Sequence, residues 1–119
     1  MSMFIEKQTI TASRYFNISV KGIDYSSALT QQHILSEIWD ATEVAVRNVL
    51  QPRNNEKAAL IQQQINFAGI VLPGDNIEII TQIVRLEQEM EIVVRLQKKA
   101  KDNNTAVAGA KLVYYVYNA

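Results

Sequence analysis

One uninterrupted amphipathic segment, residues 30–50, followed only by strand-like segments, narrows the possible architectures more than any other feature of this chain. Set 100° apart on a helical wheel, Ile34, Leu35, Ile38, Ala41, Thr42, Ala45, Val46 and Val49 share one broad face, with Trp39 and Leu50 at its border. Gln32, His33, Ser36, Glu37, Asp40, Glu43, Arg47 and Asn48 share the other. Such a segment makes a rod of roughly 31 Å, long enough to cross a small sheet. Ser27 or Thr30 is suited to cap its start, and Pro52 stops it. The polar residues 51–57 form a loop.

The strands arrive in quick succession after that loop. Residues 58–67 set Ala59, Ile61, Ile65 and Phe67 against Leu60, Gln62, Gln64 and Asn66 under simple alternation. Pro73-Gly74-Asp75-Asn76 is a turn, because Pro73 presets φ, Gly74 permits positive φ and Asp75 can close it through its side chain. Residues 77–86 follow, then the short turn 87–89, then residues 89–98, where Met90, Ile92, Val94 and Leu96 oppose Glu91, Val93, Arg95 and Gln97. These two segments are expected to be antiparallel neighbours. Asp102-Asn103-Asn104 marks another hairpin, since Asn and Asp tolerate positive φ, and residues 105–117 close the chain with small residues and three tyrosines. Before the helix, residues 3–10 read as an edge strand or an arm. Residues 14–23 alternate as a half-buried strand, and 24–27 as a turn. The sum is an α+β antiparallel sheet with one helix on a face, in one domain spanning residues 1–119.

Composition excludes several functions. Twelve basic and twelve acidic residues give zero formal charge, so nothing favours nucleic acid or an anionic membrane. Near-zero charge opposes self-association only weakly, which favours oligomers. With no cysteine, disulfides, thiolate catalysis and Cys-ligated metals are excluded. No metal or cofactor is expected. The first residues lack a basic segment before an apolar core, and no apolar run approaches the roughly 18 residues that span a bilayer. A cytoplasmic location follows as the expectation.

The order of elements resembles the hot-dog fold, in which an antiparallel sheet wraps one long central helix. The run FAGIVLPGDNI (Phe67–Ile77) is similar to the strand-turn-strand of the beta-hydroxyacyl-ACP dehydratase family, and NTAVAGA (Asn104–Ala110) also looks like that family. The likeness covers about residues 30–117. It implies a protein that handles acyl thioesters of acyl carrier protein or coenzyme A, as in fatty acid biosynthesis. It also implies a homodimer or higher even oligomer with sheets paired edge to edge and the acyl chain in a tunnel along the helix. Apolar surfaces of Ile, Val and Ala bind an alkyl chain at about 0.8 kcal/mol per buried methylene.

One departure bears on chemistry. Those dehydratases place a histidine in a loop before the helix, whereas Lys21–Leu29 (KGIDYSSAL) has neither histidine nor Pro-Gly. The chain's one histidine, His33, stands in the first turns of the helix. Glu37 aligns, within one residue, with the family's helix carboxylate, so the candidate catalytic residues are Glu37, Asp40 and His33. His33 lies four residues before Glu37 on the same side. The candidate substrate-binding residues are Asp24 and Tyr25 in the loop, Ile34 and Ile38 on the helix, and Phe67 and Val71 in the strand-turn segment. Backbone N–H groups at the helix start are placed to polarise a thioester carbonyl. Two further activities are open: a hot-dog thioesterase using a helix carboxylate, and a non-catalytic subunit that binds an acyl chain or a carrier protein. Gln62–Gln64 are expected at a dimer edge. Lys98, Lys99 and Lys101 form a basic cluster that reads as a solvated hairpin end or as a surface suited to coenzyme A phosphates or an acidic carrier protein.

Overall fold

The structure is a computed structural model that describes residues 5–15, 27–50, 55–69, 71, 74–100 and 103–118. The elements run β1 (Ile5–Tyr15), α1 (Ser27–Val49), β2 (Glu56–Phe67), β3 (Asn76–Leu86), β4 (Glu89–Lys99) and β5 (Asn104–Asn118). Among the described residues five strands form one antiparallel sheet in the order β1-β3-β4-β5-β2. The two hairpins, β3–β4 and β4–β5, make the centre. The strands that flank α1 in sequence occupy opposite edges. Glu87, at φ 54°, turns the first hairpin, so that Leu86 faces Glu89 directly.

Alternation explains the centre of the sheet. On β3, Ile77, Ile79, Thr81 and Ile83 are buried; on β4, Met90, Ile92, Val94 and Leu96. Helix α1 lays Ile34, Ile38, Thr42, Ala45 and Val49 on this inner surface, close to the face expected from the wheel. It packs over β3 and β4. The Thr42 hydroxyl donates to the Ile38 carbonyl at 2.8 Å, so this buried polar group on the apolar face is satisfied within its own helix.

Two expectations are corrected. The segment read as an edge strand or an arm is an edge strand, but it runs over residues 5–15 and takes in the start of what was read as a second strand; residues 16–23 lie outside the described residues. Its sequence is mostly polar, and what specifies it is pairing with β3 from Ile5↔Leu86 to Tyr15↔Asn76. The second correction concerns β2. Ala58 and Leu60 pair with Val116 and Tyr114, but Gln62 pairs with Val113, leaving Ile61 as an extra residue. The alternation therefore changes phase. Ala58, Leu60, Gln63, Ile65 and Phe67 share the inner parity, with Ala59, Gln62, Gln64 and Asn66 opposite, and Ile61 joins the outer surface beside Gln62 and Val113.

Two lysines of the basic cluster have partners within the chain. Lys98 pairs with Asp75 at 3.1 Å and Lys99 with Glu78 at 2.9 Å, so both charges are already partnered and fasten the turn after Gly74 to β4. Lys101 lies outside the described residues.

A second register shift, between Leu96 and Gln97, leaves Val107 as the extra residue of β5. The Val107 carbonyl accepts both the Ala68 N–H (2.8 Å) and the Gly69 N–H (3.1 Å). Gly69 comes so close to β5 that an added Cβ would lie 2.8 Å from the Ala106 oxygen. The small residues of β5 thus receive the chain as it leaves β2. Gly74 turns it back into β3 with φ +87°. Among the described residues no helix is long and apolar enough to cross a membrane.

Candidate functional site

The candidate residues converge on one border of α1. Residues three and four apart on a helix are neighbours, and His33 and Glu37 obey this: the imidazole Nε2 lies 3.7 Å from the Glu37 carboxylate Oε1. Both side chains are half-buried, at 32% and 21% exposure, which separates them from Asp40, exposed on the same flank. Val44, a further two turns along this strip from Glu37, is an apolar residue left 48% exposed. The border therefore joins a partly desolvated carboxylate, an imidazole within reach of it and an uncovered apolar surface. Glu43 and Arg47 form an i,i+4 ion pair with both side chains mostly exposed.

The other candidates divide three ways. Ile34, Ile38 and Val71 are buried, within 2% exposure, in the chain's own core. Phe67 ends β2 and is 37% exposed. Asp24 and Tyr25 lie outside the described residues. The structure brings His33, Ile34, Glu37 and Ile38 together over little more than one helical turn.

Along the free edge, β2 leaves Leu60 (40% exposed), Ile61 (57%) and Phe67 uncovered, and Gln62, Gln63 and Gln64 are exposed between them. Among the described residues no strand pairs with the outer edge of this twelve-residue strand, and such an edge with uncovered apolar side chains is a template for another strand.

Sequence reasoning missed one polar cluster. The Arg85 guanidinium meets both Glu56 carboxylate oxygens, 2.9 Å and 2.5 Å away, and also reaches the carbonyls of Val49 (3.5 Å) and Glu87 (3.3 Å). It joins the end of α1, the start of β2 and the β3–β4 turn. The signal was strand parity: a charged residue continues the inward series Ile77, Ile79, Thr81, Ile83.

The chain matches no protein-family model and no curated protein. Solved structures do share its architecture. A hot-dog-like protein from Thermanaerovibrio acidaminovorans superposes with a TM-score of 0.65 at 13% identity, covering 94% of this chain and 82% of that one. The protein smu.793 from Streptococcus mutans UA159, bound to acetyl CoA, gives 0.65 at 15% identity over 92% and 82%. Slr0204, a 1,4-dihydroxy-2-naphthoyl-CoA thioesterase from Synechocystis, gives 0.52 at 16% identity over 93% and 83%. At these identities the likeness establishes the fold, and the chain has the α+β hot-dog fold.

Proposed function

We propose that this chain binds an acyl thioester, of coenzyme A or of acyl carrier protein, and hydrolyses it with Glu37 as the catalytic carboxylate. The observation that carries the reading is the position of Glu37, a half-buried carboxylate 3.7 Å from His33 on the border of the central helix. Similar chains that are named as thioesterases, or that hold acetyl CoA, support the substrate class.

In this reaction the Glu37 carboxylate accepts a proton as water attacks the thioester carbonyl carbon. The tetrahedral intermediate collapses with cleavage of the C–S bond, and the thiolate leaves and takes up a proton. The products are a carboxylic acid and a free thiol. His33, its Nε2 3.7 Å from the carboxylate, orients Glu37 electrostatically, and Asp40 faces solvent on the same flank.

Backbone N–H groups at the start of α1 suit the developing oxyanion. Glu37 lies ten residues from Ser27, roughly 15 Å along the axis, so one carbonyl cannot meet both groups of a single helix. A second copy supplies one of them. This agrees with an even oligomer formed by pairing β2 edge to edge with its counterpart, which would cover Leu60 and Phe67. Residues 1–119 act as one domain in this reading. Ile34, Ile38 and Val71 back the acyl tunnel, Phe67 lies at its rim, and Asp24 and Tyr25 contact the thioester.

A second reading, dehydration of a 3-hydroxyacyl thioester, draws on the same His33–Glu37 contact. A third is acyl or carrier-protein binding without chemistry. Incubation with saturated and 3-hydroxyacyl thioesters separates them. Thiol release supports hydrolysis, enoyl absorbance supports dehydration, and binding with neither product leaves a holding role. Activity that survives in Glu37→Gln overturns the assignment of Glu37.

A further inference from the structure

The extra residue in β2 turns one amide inward. Because Ile61 is unpaired, Gln63 rather than Gln62 or Gln64 falls on the inner surface of the sheet, opposite Leu112. Tyr114 stands opposite Leu60 one row away, and in the other direction the surface continues through Ile65 and Phe67. Helix α1 packs over β3 and β4 instead. It leaves Leu60 and Phe67 uncovered, Gln63 exposed and Tyr114 half-buried. Along this strip of β2 and β5, only Gln63 and Tyr114 carry hydrogen-bonding side chains. They are diagonal neighbours across the strand pair, close enough for long side chains to share one ligand atom. Among the described residues neither has a hydrogen-bond partner, and burial already raises the Tyr114 phenol above its ordinary value.

We propose that Gln63 and Tyr114 form a polar clasp on the acyl-binding surface and select acyl groups that carry a hydroxyl or keto oxygen far from the thioester. This rests on the reading that the chain binds an acyl thioester, and adds to it which acyl group is taken. An alkyl chain laid along the strip excludes water from both side chains. A plain chain then leaves the amide and the phenol without partners, at a cost in binding. An oxygen on the chain accepts from the phenol O–H and from the amide N–H and removes that cost. A site that hydrogen-bonds a substrate oxygen rejects the analogue lacking it, because its own buried polar groups are left unpaired. Geometry sets where the oxygen must be. Arg85 reaches the Val49 carbonyl and shares a register row with Met90 and Tyr114, so α1 ends at the Tyr114 row. Glu37 lies twelve residues before Val49, roughly 18 Å back along the axis. The Gln63 row lies roughly 7 Å back from the Tyr114 row along the strands. The clasp is therefore at least about 10 Å from Glu37, several carbons beyond the thioester carbonyl. The hydroxyl of a 3-hydroxyacyl group stays beside the thioester and does not reach it.

Titration calorimetry on the full chain tests this with non-hydrolysable thioether analogues of dodecanoyl-, 3-hydroxydodecanoyl- and 10-hydroxydodecanoyl-coenzyme A. The 10-hydroxy analogue is expected to bind about 100-fold more tightly than the other two, about tenfold for each hydrogen bond. Gln63→Leu and Tyr114→Phe each narrow that ratio about tenfold, and circular dichroism confirms that both variants fold. Equal affinities of the parent for all three ligands, or a ratio that both variants leave intact, overturn the proposal. So does a change of assembled mass in Gln63→Leu by sedimentation velocity, which assigns the amide to contact between copies. No binding of any analogue overturns both the clasp and the acyl-thioester reading. Hydrolysis is read separately: selectivity without thiol release from 10-hydroxydodecanoyl-coenzyme A supports the clasp and counts against Glu37 as the catalytic carboxylate.

Discussion

Arg85 and Glu56 form a two-pronged ion pair at the place where α1 ends, β2 begins and β3 turns toward β4. Only 12% and 10% of their side chains are exposed. Breaking such a pair leaves one charge desolvated without its partner, at a cost of about 3–5 kcal/mol. Arg85→Ala is therefore expected to lower unfolding free energy by about that amount in denaturant titration. Replacing both residues with hydrophobes of similar volume recovers most of the loss. A single variant within about 0.5 kcal/mol of the parent would show that the pair contributes little.

Glu37→Gln keeps the shape of the side chain and removes its capacity as a base. Thiol release from an acyl thioester is expected to fall about 100-fold or more in kcat, with KM little changed. His33→Gln, which removes the imidazole beside it, is expected to give a smaller loss.

Gly69 and Gly74 are constrained for different reasons. Gly69→Ala drives a methyl group against the Ala106 carbonyl, which is backbone and cannot swing aside. A loss of about 1–3 kcal/mol is expected. Gly74→Ala meets no atom and costs about 1–2 kcal/mol through its left-handed φ alone. Thermal melts of the two variants check both values.

Hydrogen bonds from Lys99, and then from Gln97, hold the Glu78 carboxyl below its ordinary value of 4.5. The native state therefore binds this proton more weakly than the unfolded chain. The stabilisation is present above about pH 4.5 and is lost as acid titrates the carboxylate below it. Glu78→Gln is expected to lower the melting temperature slightly at neutral pH, where the ionised carboxylate contributes, to change little near pH 3, and so to flatten the fall between about pH 5 and pH 3. Tyr114 moves the opposite way. Burial raises its phenol above 10.0, and stability is lost as alkali carries the pH upward past that value.

The fold was legible where side-chain periodicity and turn chemistry agreed. The helix face, the β3–β4 hairpin and the turn at Gly74 each carry a local signal, and each is found at its expected place. The edge strand β1 was anticipated, but its bounds were misplaced because strands at a sheet edge need no strong alternation. Its pairing with β3 is a distant relationship that no window of sequence contains. The partners of the basic cluster were hidden for a similar reason, since Asp75 and Glu78 reach Lys98 and Lys99 from the neighbouring strand and the turn before it. Within the site, the four-residue spacing of His33 and Glu37 predicts their contact, because one turn of helix fixes it. The Arg85–Glu56 pair spans 29 positions, and only the inward parity of Arg85 hinted at it.

The unpaired Ile61 has a practical corollary for mutagenesis. Along residues 56–67, tolerance to charged substitutions should not follow odd or even numbering throughout. Sensitive sites fall on even positions as far as 60 and on odd ones from 63 onward. A scan interpreted with one rule for the whole strand would misattribute half its results, and the position at which the rule inverts would locate the kink without any structure determination.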